Sequence, residues 1–139
     1  MSQPSLRRAD DARPVVLSGG RVIDPSRGVD GIGAVVIAGG RILAAGPDAL
    51  NQGTPDGAWT VDCRGQGVAP GLVDARVFVG EPGHEHRETL ASASRAAAAG
   101  GVTTIVTMPD TDPVIDDPAL VDFVLRRARD DAKVRVYPM

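Results

Sequence analysis

Along the first half of the chain, apolar positions come in short runs broken by glycine pairs; in the second half they lengthen and take up helical spacing. Val15-Val16-Leu17-Ser18-Gly19-Gly20-Arg21-Val22-Ile23 is echoed by Val35-Val36-Ile37-Ala38-Gly39-Gly40-Arg41-Ile42-Leu43. Each is a β-branched run, a Gly-Gly pair and a second run. Gly-Gly permits the positive φ angles of a tight turn, so the pattern predicts two β-hairpins. Two copies fall short of the three or so that a solenoid needs. Residues 46–58 are rich in Gly, Pro, Asp and Asn and predict a loop. Trp59–Asp62 predicts a short strand, and 66–70 lead into a longer one. That strand carries Val73, Val77 and Val79 and is stopped by Pro82-Gly83.

The segment from Glu85 to Ala99 is alanine-rich and lacks Gly and Pro, which predicts a helix. Gly100 is placed as its αL end and Gly101 as the turn beyond it. Val102 to Met108 predicts a strand stopped by Pro109, followed by an Asp- and Pro-rich loop to Asp116. Asp117 is placed as an N-cap with Pro118 at the first helical position. Leu120, Val121, Val124, Leu125 and Ala128 then share one face, while Arg126, Arg127 and Arg129 form a solvated face near the C-terminal end. Val134 to Tyr137 begins a third strand. Strand, helix, strand, helix, strand implies a parallel sheet.

Composition narrows the function classes. Hydrophobic residues make up 42% of 139, which predicts a folded chain long enough for one core. It is too short for a complete βα barrel, which takes about 250 residues. A net charge of −3 and 3% aromatic residues give no case for nucleic acid or an anionic membrane surface. No run approaches the roughly 18 apolar residues of a membrane helix. Met1 to Asp10 carries charge without an apolar stretch and does not read as a signal peptide, so the expected compartment is the cytoplasm.

Candidate chemistry is sparse. Cys63 is the only cysteine, which excludes a disulfide framework and a thiolate zinc cluster within one chain. It reads as an inert, partly buried thiol. His84 and His86 are the only histidines. Their His-x-His spacing lies past a Pro-Gly turn at the predicted helix start, where i and i+2 diverge, so exposed histidines are expected; a displaced metal site is the alternative. Asp110, Asp112, Asp116 and Asp117 read as a solvated turn, with hard-cation binding as the alternative. The glycine pairs lack the Gly-Lys-Ser/Thr of a phosphate loop, and there is no Gly-x-Ser-x-Gly elbow.

The stretch Gly71-Leu72-Val73-Asp74-Ala75-Arg76-Val77-Phe78-Val79-Gly80-Glu81-Pro82-Gly83 resembles the first barrel strand of the dihydroorotase branch of the amidohydrolases. That branch usually reads Gly-Leu-Val-Asp-x-His-x-His-x-Arg-Glu-Pro-Gly. Further likeness lies in Glu88-Thr89, Ala97-Ala98-Ala99-Gly100-Gly101-Val102-Thr103-Thr104 and Met108-Pro109-Asp110-Thr111, so it runs from about Val15 to Met139. The resemblance implies an α/β architecture. The N-terminal β-hairpins of a small composite β-sandwich (residues 14–69) follow a mobile N-terminus (1–13). The first β-α-β-α-β units of an incomplete (β/α)8 TIM barrel (70–139) come next.

Four functional positions of the family are replaced. Arg76 and Phe78 stand where it has two zinc-binding histidines. Gly80 stands where it has an arginine, and Asp110 where it has an asparagine, both of which hold the substrate carboxylate. On a regular strand i and i+2 face the same way, so two imidazoles at that spacing grip one metal. A guanidinium offers only donors and keeps its charge, and a phenyl ring has no lone pair. An aspartate in place of the asparagine repels a carboxylate. The expectation is therefore no catalytic residue, no metal ligand, no substrate-binding residue and no cofactor.

As a whole the resemblance implies a non-catalytic dihydroorotase-like protein of pyrimidine synthesis that serves as a structural partner of aspartate carbamoyltransferase. The alternatives are an active zinc-dependent cyclic-amide hydrolase, of dihydroorotase or allantoinase type, with a displaced metal site, and a truncated product without independent function. The family's remaining ligands lie on later strands, beyond Met139. Three strands cannot close a barrel, so residues 1–139 alone are expected to be marginally folded, oligomeric or aggregation-prone.

Overall fold

The computed structural model describes residues 13–139. The predicted mobile stretch 1–13 therefore lies outside the described residues, save Arg13. The chain divides into two compact units, Met1–Pro70 and Gly71–Met139.

The first unit is a β-sheet. Strand β1 (Val15–Asp24) leads through a 3-10 turn (Pro25–Arg27) into β2 (Val29–Ala38) and β3 (Arg41–Gly46); β4 (Trp59–Asp62) and β5 (Gly67–Val68) follow. The order is β3-β2-β1-β4, with β5 also pairing with β1. β1 and β2 are antiparallel, as are β2 and β3, whereas β4 and β5 run parallel to β1. Val16, Ala34 and Val36 form a small core with Ala44, Ala49, Leu50 and Ala58 packed against it.

One of the two predicted hairpin turns is correct. Gly39 and Gly40 turn β2 into β3 with φ of 57° and 70°, the paired positive values that a two-residue turn of this hand requires. Gly19-Gly20 does not turn. β1 runs straight through it, with a register irregularity between Ser18 and Gly20. The reason is local packing: a Cβ on Gly20 would lie 2.9 Å from Val68 Cγ2 and 3.0 Å from Cys63 Cβ, so the pair is kept small where 63–68 runs beside the strand. The actual reversal after β1 is the 3-10 turn, where the Asp24 carboxylate accepts from the Ser26 N–H at 3.1 Å.

The second unit alternates β6 (Leu72–Val77), α1 (Leu90–Ala99), β7 (Val102–Thr107), α2 (Pro118–Asp131) and β8 (Arg135–Pro138). The sheet order β6-β7-β8 is parallel throughout, as the alternation predicts. Val79, Leu90, Ala93, Ile105, Ile115, Val124 and Val136 form its buried core. Fully burying a side chain the size of Leu90 is worth about 1.5–3 kcal/mol.

Helix α1 begins at Leu90, not at Glu85. The Thr89 hydroxyl accepts from the Ser92 N–H at 3.1 Å and the Ser92 hydroxyl accepts from the Thr89 N–H at 3.0 Å, a reciprocal cap that fixes the start. Residues before it are used in turns, with the His84 N–H on the Gly80 carbonyl and the Arg87 N–H on the His84 carbonyl. Gly100 keeps φ at −86°, and the left-handed residue is Gly101, at 79°. In α2 the Asp117 cap forms as predicted, accepting from the Ala119 N–H at 2.6 Å. Leu125 is 43% exposed, however, and Phe123 packs against the core in its place.

Candidate functional site

Parallel strands gather the loops that follow them at one end of a sheet, and that end is where α/β folds place chemistry. Here it is built from 78–89 after β6 and 108–117 after β7. The two loops are tied together: the Met108 N–H donates to the Val77 carbonyl at 2.9 Å, and the Asp112 N–H donates to the Pro82 carbonyl at 3.2 Å.

Strand β6 stops at Val77, two residues short of the predicted Val79. Its register with β7 is also irregular, because Asp74 pairs with Ile105 and Val77 with Thr107. Three residues of β6 thus advance against two of β7. A bulge of this kind re-aims the side chains beside it, so the plain i, i+2 relation does not hold from Asp74 to Phe78. The Arg76 N–H turns back onto the Asp74 carboxylate at 3.1 Å.

The four positions that the resemblance singles out, Arg76, Phe78, Gly80 and Asp110, have different surroundings. Arg76 is exposed, and its Nε–H donates to Met108 Sδ at 3.2 Å. Phe78 is half-buried, and the Arg87 guanidinium lies over its ring, 5.1 Å from the centroid. Such a cation on an aromatic face is worth about 0.5–1 kcal/mol at exposed sites. Gly80 is buried, and an added Cβ would overlap the His84 carbonyl oxygen and lie 2.9 Å from the Glu88 carbonyl oxygen. Asp110 is exposed in the loop after β7.

The donor set does not fit a divalent cation at Arg76 and Phe78: one side chain is a fixed cation and the other has no lone pair. Among the described residues no group of three or more His, Cys, Asp and Glu side chains could hold a metal ion. The His84 and His86 rings are 6.1 Å apart, edge to face, in the loop before α1. Glu85 between them accepts from the Gly83 N–H at 3.0 and 3.1 Å, and backbone N–H groups, its own and that of Gly83, hold its carboxyl below the usual range. Cys63, in the first unit, is buried, as its partly buried reading anticipates.

Sequence reasoning missed one residue that organises this end of the unit. Glu81 is only 4% exposed, yet it carries a carboxylate. One oxygen accepts from the Leu90 N–H at 3.0 Å, at the start of α1, and the other from Arg127 Nε at 2.7 Å, on α2. Arg127 is therefore not part of a merely solvated face, unlike Arg126 and Arg129, which pair with exposed Asp122 and Asp130. Its guanidinium is held above its ordinary pKa chiefly by the bond to Glu81, with Asp131 adding to it. The available signal was a charged residue directly after an apolar run, in a motif otherwise made of turn formers. Thr107, at the end of β7, is also buried, and its hydroxyl has no partner among the described residues.

Comparison with known proteins bears on the family and the fold. The dihydro-orotase-like family model matches residues 65–139. The chain is 42% identical over 127 residues to the dihydroorotase of Citrifermentans bemidjiense, covering 90% of this chain and 29% of that one. It is 46% identical over 123 residues to the dihydroorotase of Anaeromyxobacter sp. (strain K), covering 88% of this chain and 28% of that one. The chain thus spans less than a third of the length of these curated relatives. Among solved structures, the L-hydantoinase (dihydropyrimidinase) of Arthrobacter aurescens superposes with a TM-score of 0.74 at 26% identity, over 89% of this chain and 27% of that one. No helix among the described residues is long and apolar enough to cross a membrane. With the family's match over more than half its length and the parallel βα units that the match implies, this chain belongs to the dihydro-orotase-like amidohydrolases.

Proposed function

We propose that this chain is the N-terminal part of a non-catalytic, cytoplasmic dihydroorotase-like protein of pyrimidine synthesis, acting as a structural partner of aspartate carbamoyltransferase. The observation that carries the non-catalytic reading is Arg76: a permanent cation, exposed beside Met108, at the position where the resemblance places a zinc-binding imidazole. Gly80 supports it, because the backbone around that residue leaves no room for the arginine that holds a substrate carboxylate in the family. The partnership rests on the family resemblance.

Two measurements on the full-length protein test the reading. Dihydroorotate turnover with added zinc should stay at the level of a protein-free control, and sustained turnover would overturn the non-catalytic reading. Tagged protein should retain aspartate carbamoyltransferase from its own host at a fixed ratio, and loss of that subunit on washing at physiological salt would overturn the partnership.

A further inference from the structure

The sequence holds two Asp-Gly pairs, Asp30-Gly31 and Asp56-Gly57, and the fold treats them differently. The backbone nitrogen of the following residue can attack an aspartyl carboxyl group, and glycine, with no Cβ, hinders that approach least. The attack needs a side chain and a backbone that are free to rotate. Asp30 has neither. It lies in β2 opposite Ile23 of β1, with Gly31 opposite Val22. Arg21 takes both of its carboxylate oxygens, donating from Nε at 2.6 Å and from Nη2 at 2.7 Å. Those bonds also hold the Asp30 carboxyl below its usual pKa, and an ionised oxygen is a poor leaving group.

Asp56 has the opposite surroundings. It is exposed, in the connection between β3 and β4. Its carboxylate has no hydrogen bond or ion pair among the described residues. The Ala58 N–H closes the turn on the Pro55 carbonyl at 3.1 Å, a bond that leaves out the Gly57 N–H. Gly57 stands at φ 68°, and beyond its chain neighbours no heavy atom lies within 4 Å of where its Cβ would be. We propose that Asp56-Gly57 is a site of spontaneous isoaspartate formation. The Gly57 nitrogen bonds to Asp56 Cγ, the Cγ–OH bond breaks, and the hydroxyl leaves with the amide proton as water. Water then opens the succinimide ring. Attack at Cγ restores aspartate, and attack at the former main-chain carbonyl leaves the chain running through Cβ and Cγ. No atom is gained or lost overall, and no co-reactant other than water takes part. The product has one more methylene in its main chain, so the turn bond from Ala58 to Pro55 no longer fits. Ala58 packs against the small core of the first unit, and Trp59 opens the pairing of β4 with β1 opposite Val15, so the change reaches both. The inference does not depend on the proposed function.

Ageing the full-length protein at neutral pH tests it, with peptide mapping by a fragmentation that separates aspartyl from isoaspartyl residues. Isoaspartate should accumulate at position 56 about tenfold faster than at position 30, or more, because Asp30 must first leave a strand ladder. In urea the two positions should convert at similar rates, since the fold sets the difference. Hydrogen exchange at Ala58 and Trp59 should be faster in the aged protein than in the fresh one. Equal rates in the folded protein, faster conversion at position 30, or the same ratio of rates in urea would overturn the proposal.

Discussion

Arg127 on α2 donates to the buried carboxylate of Glu81, 46 residues earlier, at 2.7 Å, while the other oxygen of Glu81 receives the Leu90 N–H. One carboxylate thus fastens the loop after β6 to the start of α1 and to the side of α2. The Glu81 side chain is 3% exposed and that of Arg127 47%, so the acid is committed to the interior while the base reaches it from the surface. Loss of a buried acceptor with two charge-assisted bonds costs about 1.5–3 kcal/mol for each bond. Glu81→Ala should therefore lower the unfolding free energy by about 3 kcal/mol in urea denaturation. Arg127→Leu should also destabilise, because it leaves the buried carboxylate without its cation.

Gly80 is fixed by close approach. Gly80→Ala places a methyl group against the His84 and Glu88 carbonyls and should destabilise by about 1–3 kcal/mol, the usual cost of overpacking. Gly80→Arg should be worse in the same melt and should not gain affinity for dihydroorotate. An arginine variant as stable as the parent would show that the loop has room for a side chain.

At the cap of α2, the Asp117 carboxylate meets the Ala119 N–H at 2.6 Å. Asp117→Ala should cost about 1 kcal/mol and Asp117→Asn much less, because the amide oxygen still accepts. Chemical denaturation of both variants checks the order.

Asp62 and Arg64 form a fork in the first unit at 2.6 Å. Side-chain and then backbone hydrogen bonds from Arg64 lower the Asp62 pKa to about 2. The folded value lies below the unfolded one, about 3.9. The pair's contribution is therefore full above pH 4 and fades as pH falls toward 2. NMR titration of the Asp62 carboxyl should give a midpoint near 2 in the parent and a higher one in Arg64→Ala; the same midpoint in both would exclude the pairing.

The parallel βα order and the cap at Asp117 were legible because periodicity and capping are local properties. The family was legible in Glu81-Pro82-Gly83 and Met108-Pro109. What was not legible depends on contacts distant in sequence. Gly19-Gly20 has the composition of a turn, and only the distant Val68 and Cys63, packed against Gly20, show that it lies within a strand. Glu85–Glu88 have helical propensity, but the Thr89–Ser92 cap sets the start later. Arg127 shares its helix with ordinary surface arginines, and its partner comes from a loop that no local pattern places beside it. The bulge between Asp74 and Val77 has no signature in Asp74-Ala75-Arg76-Val77, yet it breaks the regular register beside Arg76.

Arg76 and Phe78 offer a metal no lone pair at the end of β6. Elemental analysis of the purified protein, after equilibration with zinc and removal of the excess, tests it most directly. Zinc should stay well below one equivalent per chain, unchanged by Arg76→Ala or His84→Ala. About one zinc per chain, lost on either substitution, would contradict it.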